Sequence, residues 1–438
     1  MGVPTAPIIT APFEDAVKIA VFAKGMRNLR FIFTPHPMAY ITADVGRARF
    51  LSNDPIAGKP ILHEIVQALT EPLTADDVKT ELIERPRERM LKLDTPDNLQ
   101  RLFQESGWTS YLPITLPTEE RVAAMLKGTS HKPDEKVGEM QPSSPHEKWS
   151  YTVEKVAVNA VMAGAKPEHF PVILAIASTG ATSLFTSTNS FTAMVCVNGP
   201  IRNEIGMNSG IGALGPFNHA NAAIGCAWTL ISRNLGNGGA PGQKYMGSQG
   251  QGHNYNNLCF AENEESLPTG WLPFHVQKGF KPEESVVSVF NGWSWSNIGG
   301  FELNKSKTIK RFFTYQTQCC GQSMVIDPLV ADLLYKEEFK TKEQLTRWLK
   351  ENVMFPQEEY WGQMPGVGNF WGEHTEDLEK ARAGVEPYAS WLKLPEGAVI
   401  PVPRNINVNI MVTGGGTNPY WQGGTLRYIA SASVDRWR

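Results

Sequence analysis

The chain has little charge and almost no cysteine. Asp, Glu, Lys and Arg make up 19% of its 438 residues, and the five cysteines are Cys196, Cys226, Cys259, Cys319 and Cys320. An odd count without paired spacing excludes a small disulfide-stapled scaffold and points to a reducing, cytoplasmic setting. Neither sign of charge is in excess: 41 basic against 44 acidic residues leave a net charge of −3. That balance excludes an electrostatic grip on nucleic acid or an anionic membrane. Long apolar runs are missing too. The most apolar segment, 170–177, is too short for a bilayer, and the opening MGVPTAPIITAPFED lacks the basic start of a secretory signal. No fixed-period repeat is visible. What is plentiful is Gly (39), Pro (31), Phe (20) and Trp (12). This composition rules out wholesale disorder and predicts well-formed cores joined by many structured loops.

Hydrophobic periodicity predicts a strand over 5–10, a helix over 13–24 stopped by Gly25, a strand over 29–34 and a helix over 60–69. Strand, helix, strand, helix is the beat of a parallel α/β sheet, but two strands are too few to bury both faces. Later segments or another chain must complete it. Residues 76–150 read as a charged helical bridge, with helix starts at Thr95-Pro96 and Pro117-Thr118 and a polar linker over 128–145. Beyond it lie strands over 193–197, 286–290 and 324–326 and helices over 217–235 and 342–352. NINVNIMV reads as a half-exposed strand entering Gly414-Gly415-Gly416. The expected class is α/β: a partial Rossmann-like unit over 1–75, a bridge over 76–150 and a larger α/β domain with Gly/Asn-rich loops over 151–438.

Gly210-Ile211-Gly212-Ala213-Leu214-Gly215 matches G-x-G-x-x-G and runs into a helix through Pro216. A dinucleotide fingerprint would follow its strand directly and be trailed by an acid on the ribose, and neither condition holds. The open alternatives are amides that polarise a substrate oxygen and a purely structural turn. The densest set of acid, base and ligand groups is His253, Cys259, Glu262, Glu264 and His275. Proton transfer by Glu262 or Glu264 with His275 fits these types. A metal ion on His253, Cys259, Glu262 and His275 is the alternative, though no H-E-x-x-H, C-x-x-C or H-x-H spacing supports it. Cys319-Cys320 is an adjacent pair unsuited to chelating one small ion, and reads as two buried thiols. His36 follows a predicted parallel strand, where α/β sheets place their ligands. Tyr360, Trp361, Phe370, Trp371, Tyr420 and Trp421 sit in Gly-rich, non-periodic surroundings that suit pocket walls or a subunit contact.

Long stretches of the chain resemble bacterial proteins grouped around a UGSC or CGSC motif, in which a selenocysteine or cysteine lies in a small α/β domain. GVPTAPIITAPFEDAVKIAVFAKGMRNLRFIFTPHPM looks like the second half of that domain and DPIAGKPILHEIVQALTEPL like its closing helix. WSYTVEKVAVNAVMAGAKPEHFPVILAIA, VNGPIRNEIGMNSGIGALGP, HANAAIGCAWTLISRNLGNGGAPG and CFAENEES look like the accompanying large domain. The UGSC or CGSC segment would fall before Gly2, and Cys320-Gly321-Gln322-Ser323 is a poor imitation of it. The resemblance therefore implies the large subunit of a two-chain enzyme of small-molecule metabolism. A small partner chain would supply the redox cysteine or selenocysteine, making a cytoplasmic hetero-oligomer that engages neither nucleic acid nor membrane. Asn198, Asn208, Asn221 and the amides near Gly212 and Gly215 would orient the substrate. Glu262 or Glu264, with His275 or His36, would move protons, and Trp421 would help exclude water. The remaining alternatives are a metal-dependent hydrolase or lyase and a non-catalytic assembly subunit.

Overall fold

The structure is a computed structural model that describes residues 4–26, 28–38, 41–78, 88–143, 146–298, 304–314, 321–362, 373–401 and 408–438. Strand β1 (Ile8–Thr10), helix α1 (Glu14–Ala23), strand β2 (Ile32–Thr34), α2 (Ala43–Phe50) and α3 (Ile61–Thr70) form the N-terminal unit. β1 and β2 are parallel, with Ile8 opposite Ile32 and Thr10 opposite Thr34, as the βαβ rhythm predicts. Asp54 ties the following loop to β2. It is buried, and its Oδ2 accepts from Phe33 N at 2.6 Å while Oδ1 accepts from Ile56 N and Ala57 N at 2.7 and 2.9 Å. Helix α2 was not foreseen, because Ala-Asp-Val-Gly-Arg-Ala-Arg-Phe carries no apolar stripe and is held by its Thr42 cap.

The bridge contains α4 (Pro96–Glu105) and α5 (Glu119–Leu126), capped by Thr95 and Thr118 side chains where the Thr/Pro signals predict. The expected linker over 128–145 is corrected in part. Within it Lys136–Met140 forms β3, paired antiparallel with β4 (Trp149–Thr152), because Val137 and Met140 find buried places against the domain that follows.

That domain is a four-layer sandwich. In chain order it contains α6 (Val153–Met162), α7 (Phe170–Ser178), β5 (Thr192–Asn198), α8 (Ile201–Glu204), α9 (His219–Asn234), β6 (Leu258–Ala261), α10 (Phe274–Gln277), β7 (Val286–Gly292) and β8 (Ser296–Ile298). Then follow α11 (Lys305–Thr314), β9 (Gln322–Ile326), α12 (Pro328–Lys336), α13 (Lys342–Asn352), β10 (Met354–Pro356), β11 (Val399–Pro401), β12 (Val408–Val412), β13 (Trp421–Gly424) and β14 (Leu426–Ser433). The first sheet has the order β14-β7-β5-β6 and the second β12-β9-β13-β8. Helices α6, α7 and α9 cover the outer face of the first, and α11, α12 and α13 that of the second. Between the sheets lie Met194, Cys196, Phe260, Phe290, Val325 and Met411. Burial on both faces explains why α7 is apolar all round and why β12, expected to be half exposed, is wholly buried.

The two sheets share one plan. In each, the first strand pairs in parallel with the second and antiparallel with the third: β5 with β6 and β7, β9 with β12 and β13. The fourth strand of each series crosses to the other sheet, β8 joining β13 and β14 joining β7. At the crossing Ser294 and Thr425 bond reciprocally, Oγ to Oγ1 at 2.9 Å and each amide to the other's hydroxyl at 3.2 Å. Glycine is required on both sides: a Cβ on Gly292 would lie 1.5 Å from Thr425 O, and one on Gly424 1.9 Å from Ser294 O.

Candidate functional site

The carboxyl ends of β5, β6 and β12 meet between the sheets, and the residues just beyond them form a buried polar cluster. Glu262 follows β6 with no exposure, and both its oxygens are fully engaged. Oε1 accepts from Lys342 Nζ at 2.9 Å and Val412 N at 3.2 Å, and Oε2 accepts from Asn198 Nδ2 at 2.7 Å and Phe274 N at 2.6 Å. Four donors occupy the four lone-pair directions of a carboxylate. Glu262 is thus a cross-link joining β5, α10, α13 and β12, and no lone pair is left to take a substrate proton. Lys342, its buried counter-ion, sits 80 residues away in sequence and carried no local signal.

Asn198 Nδ2 also donates to Glu264 Oε1 at 2.9 Å, beside Gly199 N at 2.8 Å. Arg202 pairs with both Glu265 oxygens at 2.8 and 2.6 Å and lies 3.4 Å from Glu264 Oε2. These hydrogen bonds hold the Glu265 carboxyl down at about 2. His275 is fully buried, its Nε2 3.4 Å from Pro282 O. Its Nδ1 is 4.0 Å from Glu264 Oε1 and has no hydrogen-bond partner among the described residues. The structure therefore brings Asn198, Glu262, Glu264 and His275 together. Capacity for proton transfer remains with Glu264, whose side chain is 15% exposed, and with His275.

The Gly/Asn-rich segment is spent on its own shape. Asn221 Oδ1 accepts from Asn208 N at 3.0 Å while its Nδ2 donates to Asn208 O and Ala213 O. Asn208 Oδ1 accepts from Gly210 N at 2.8 Å. Gly212, at φ +74°, and Gly215 accommodate the Phe217 ring, which a Cβ on either would meet at 2.7 Å. Of the alternatives for the G-x-G-x-x-G match, these contacts correspond to the structural turn. Trp421 lies in the core, edge-on to Phe312 at 5.0 Å. Tyr360 is buried and donates to Asp377 Oδ2 at 2.7 Å, whereas Phe370 and Trp371 lie outside the described residues.

The alternative metal set does not converge. Cys259 and Glu262, three apart around a strand end, face opposite sides of the sheet: Cys259 packs under α9 among the outer helices, Glu262 between the sheets. His253 bonds Gln251 Oε1 at 3.1 Å. Among the described residues no three His, Cys, Asp or Glu side chains are placed to hold a metal ion. Burial drives the described thiols upward, Cys226 to about 11, Cys259 to about 12, and Cys196 well above its usual range with Glu262 adding to the effect. Cys319 and Cys320 lie outside the described residues.

His36 stands apart from this cluster, exposed just past the carboxyl end of β2, where the strand pattern places it. Its Nδ1 is 3.2 Å from Thr10 Oγ1 at the matching end of β1, and the Phe13 ring lies 5.9 Å away. Thr10 carried no signal of its own; only the parallel register reveals the pairing. Around this site the apolar surface is unusual. Among the described residues up to 78, five hydrophobic side chains are buried (Ala16, Ala20, Ile32, Phe33, Ile61) while eleven large ones are exposed. On α3, Leu62, Val66 and Leu69 form one exposed stripe at helical spacing.

Residues 1–82 match the model of the UGSC family. The resemblance seen in the sequence thus holds for the N-terminal unit, and the segments assigned to the large domain lie outside the match. No curated protein and no solved structure matches the chain.

Proposed function

We propose that the chain is the large subunit of a two-chain, thiol- or selenol-dependent enzyme, a reductase or lyase acting on a small organic molecule. Its N-terminal sheet would be completed by a small chain carrying a CGSC-type motif. The observation that carries this reading is the inverted surface of the N-terminal unit, in which a two-stranded parallel sheet is flanked by more exposed than buried apolar side chains. A parallel sheet needs cover on both faces, and an apolar stripe on a helix marks an interface. The occupant is argued from the UGSC match of this unit and from the described cysteines, all of them pushed away from the reactive thiolate form by burial.

In this arrangement His36 is the base. With Nδ1 oriented by Thr10, Nε2 takes the proton of the incoming thiol or selenol and leaves a thiolate–imidazolium pair at the ends of β1 and β2. The Glu264–His275 pair serves a second proton transfer; Glu262 positions Glu264 through Asn198 and holds the start of α10, which carries His275, through Phe274 N.

The test is alkylation of the assembled complex over a range of pH. The motif cysteine should react as a thiolate below its ordinary range near 8.5, and His36→Ala should return the profile toward that value. A profile unchanged by His36→Ala removes the catalytic assignment and favours the assembly-subunit reading.

A further inference from the structure

We infer that the cleft between α10, α13 and β12 is a binding site for a small organic dianion, a dicarboxylate or a phosphate monoester. It is separate from the His36 thiol site proposed above, because no residue of the N-terminal unit lines it, while Lys342 and Phe274 border both this cleft and the Glu262 cluster.

The cleft holds a volume of about 350 Å³, within the range of small-molecule sites. Its floor is apolar, from Phe274, Val408 and Ile410, and its walls are cationic. Helix α13 puts Glu343, Arg347 and Lys350 on the cleft at spacings of four and three residues, so they share one face. Lys278 enters from the end of α10. Lys342 also borders the cleft, but its charge is matched by Glu262. Glu343 Oε1 is held by Gln277 Nε2 at 2.6 Å. Three cations thus face one carboxylate, leaving two positive charges uncompensated.

The disposition of Lys278 separates this cleft from an ordinary solvated basic surface. Its half-buried Nζ lies 4.8 Å from the Phe274 ring centroid and 4.4 Å from that of Tyr428, and it donates to Asn409 Oδ1 at 3.2 Å. Asn409 is oriented for this, because its Nδ2 donates to Gln322 O and Ser323 Oγ. An ammonium has three donors, and among the described residues one of them finds an oxygen. Burial pushes the Lys278 ammonium toward the neutral form, a shift that a bound anion would reverse. Arg347 and Lys350 have no acceptor among the described residues, although a guanidinium fork suits paired oxygens. The two carboxylates of a dicarboxylate, or the single doubly charged group of a phosphate monoester, would meet the cations Lys278, Arg347 and Lys350, with the carbon chain against the apolar floor.

The experiment is calorimetric titration of the whole chain with succinate, with inorganic phosphate and with neutral succinamide. At least one dianion should bind saturably with a dissociation constant in the millimolar range or tighter, and succinamide should not bind. Arg347→Gln, on the exposed face of α13, should weaken binding about 10-fold with an unchanged melting temperature, and Lys278→Met should weaken it further. Binding at higher salt should fall. No saturation by either dianion up to about 20 mM, equal binding of succinamide, or affinity unaffected by Arg347→Gln would each overturn the inference.

Discussion

The N-terminal unit and the large domain treat apolar and polar groups in opposite ways. In the large domain β5, β6, β7, β9 and β12 are buried on both faces, and even the charged interior group Glu262 has every oxygen paired. In the N-terminal unit large apolar side chains lie outside, and among the described residues its sheet has two strands. One region hides its apolar side chains and the other displays them. The large domain should therefore be sensitive to mutation as an isolated chain, whereas the N-terminal unit should reveal its mutations only in an assembly.

The largest effect is expected at the buried ion pair. Glu262→Gln leaves Lys342 charged and unpaired between the sheets, and Lys342→Met strands the carboxylate. Either should cost about 3–5 kcal/mol in chemical denaturation. A small loss would mean that the pair is open to water and that Glu262 is free for proton transfer after all. Next comes the strand exchange. Gly292→Ala and Gly424→Ala drive a methyl into the backbone carbonyls of Thr425 and Ser294. Each should lower stability by about 1–3 kcal/mol, and a pair of neutral substitutions would disprove the close crossing.

The comparison is sharpened at α3. Val66→Asp, on an exposed stripe, should change the stability of the isolated chain by no more than about 0.5 kcal/mol. It should weaken association with the small chain by about 30-fold or more, as loss of an interface hot spot does. Equal affinity of Val66→Asp and the parent would remove α3 from the interface.

A pH effect is expected at His169, which is buried, accepts from Lys166 N at 3.3 Å and is held down to about 4 by burial. The unfolded chain protonates this ring near 6.5 while the folded chain keeps it neutral, so the unfolded state binds more protons. Stability is fully present above pH 6.5 and is lost as pH falls toward 4. His169→Phe should flatten that part of the stability–pH curve, and an unchanged slope would assign it elsewhere.

Much of the fold was legible because it rests on local rules. Thr95-Pro96 and Pro117-Thr118 open helices as capping chemistry demands, and the βαβ rhythm gave β1, α1, β2 and α3 in their places. The exchange of β8 and β14 was not legible, because no local signal in a strand says which sheet it will join. At the site the sequence grouped Glu262, Glu264 and His275 from proximity and residue type and named Asn198 apart from them as a substrate-orienting residue; the structure brings all four together. It assigned Glu262 to catalysis because Lys342, which occupies it, arrives from a distant helix. Asn208, Asn221, Gly212 and Gly215 looked like ligand-binding residues for the same reason that they build a tight loop: small polar side chains satisfy backbone as readily as substrate. The cationic face of α13 was visible only as an amphipathic helix, and the cleft beside it required the placement of α10 and β12.

The account turns on whether the N-terminal sheet is completed by a second chain. Native mass spectrometry of the protein isolated from its own cells tests this most directly. The expected result is a stoichiometric second polypeptide that carries a CGSC-type motif and is lost when Val66→Asp is introduced. Recovery of this chain alone, or only as copies of itself, would contradict it.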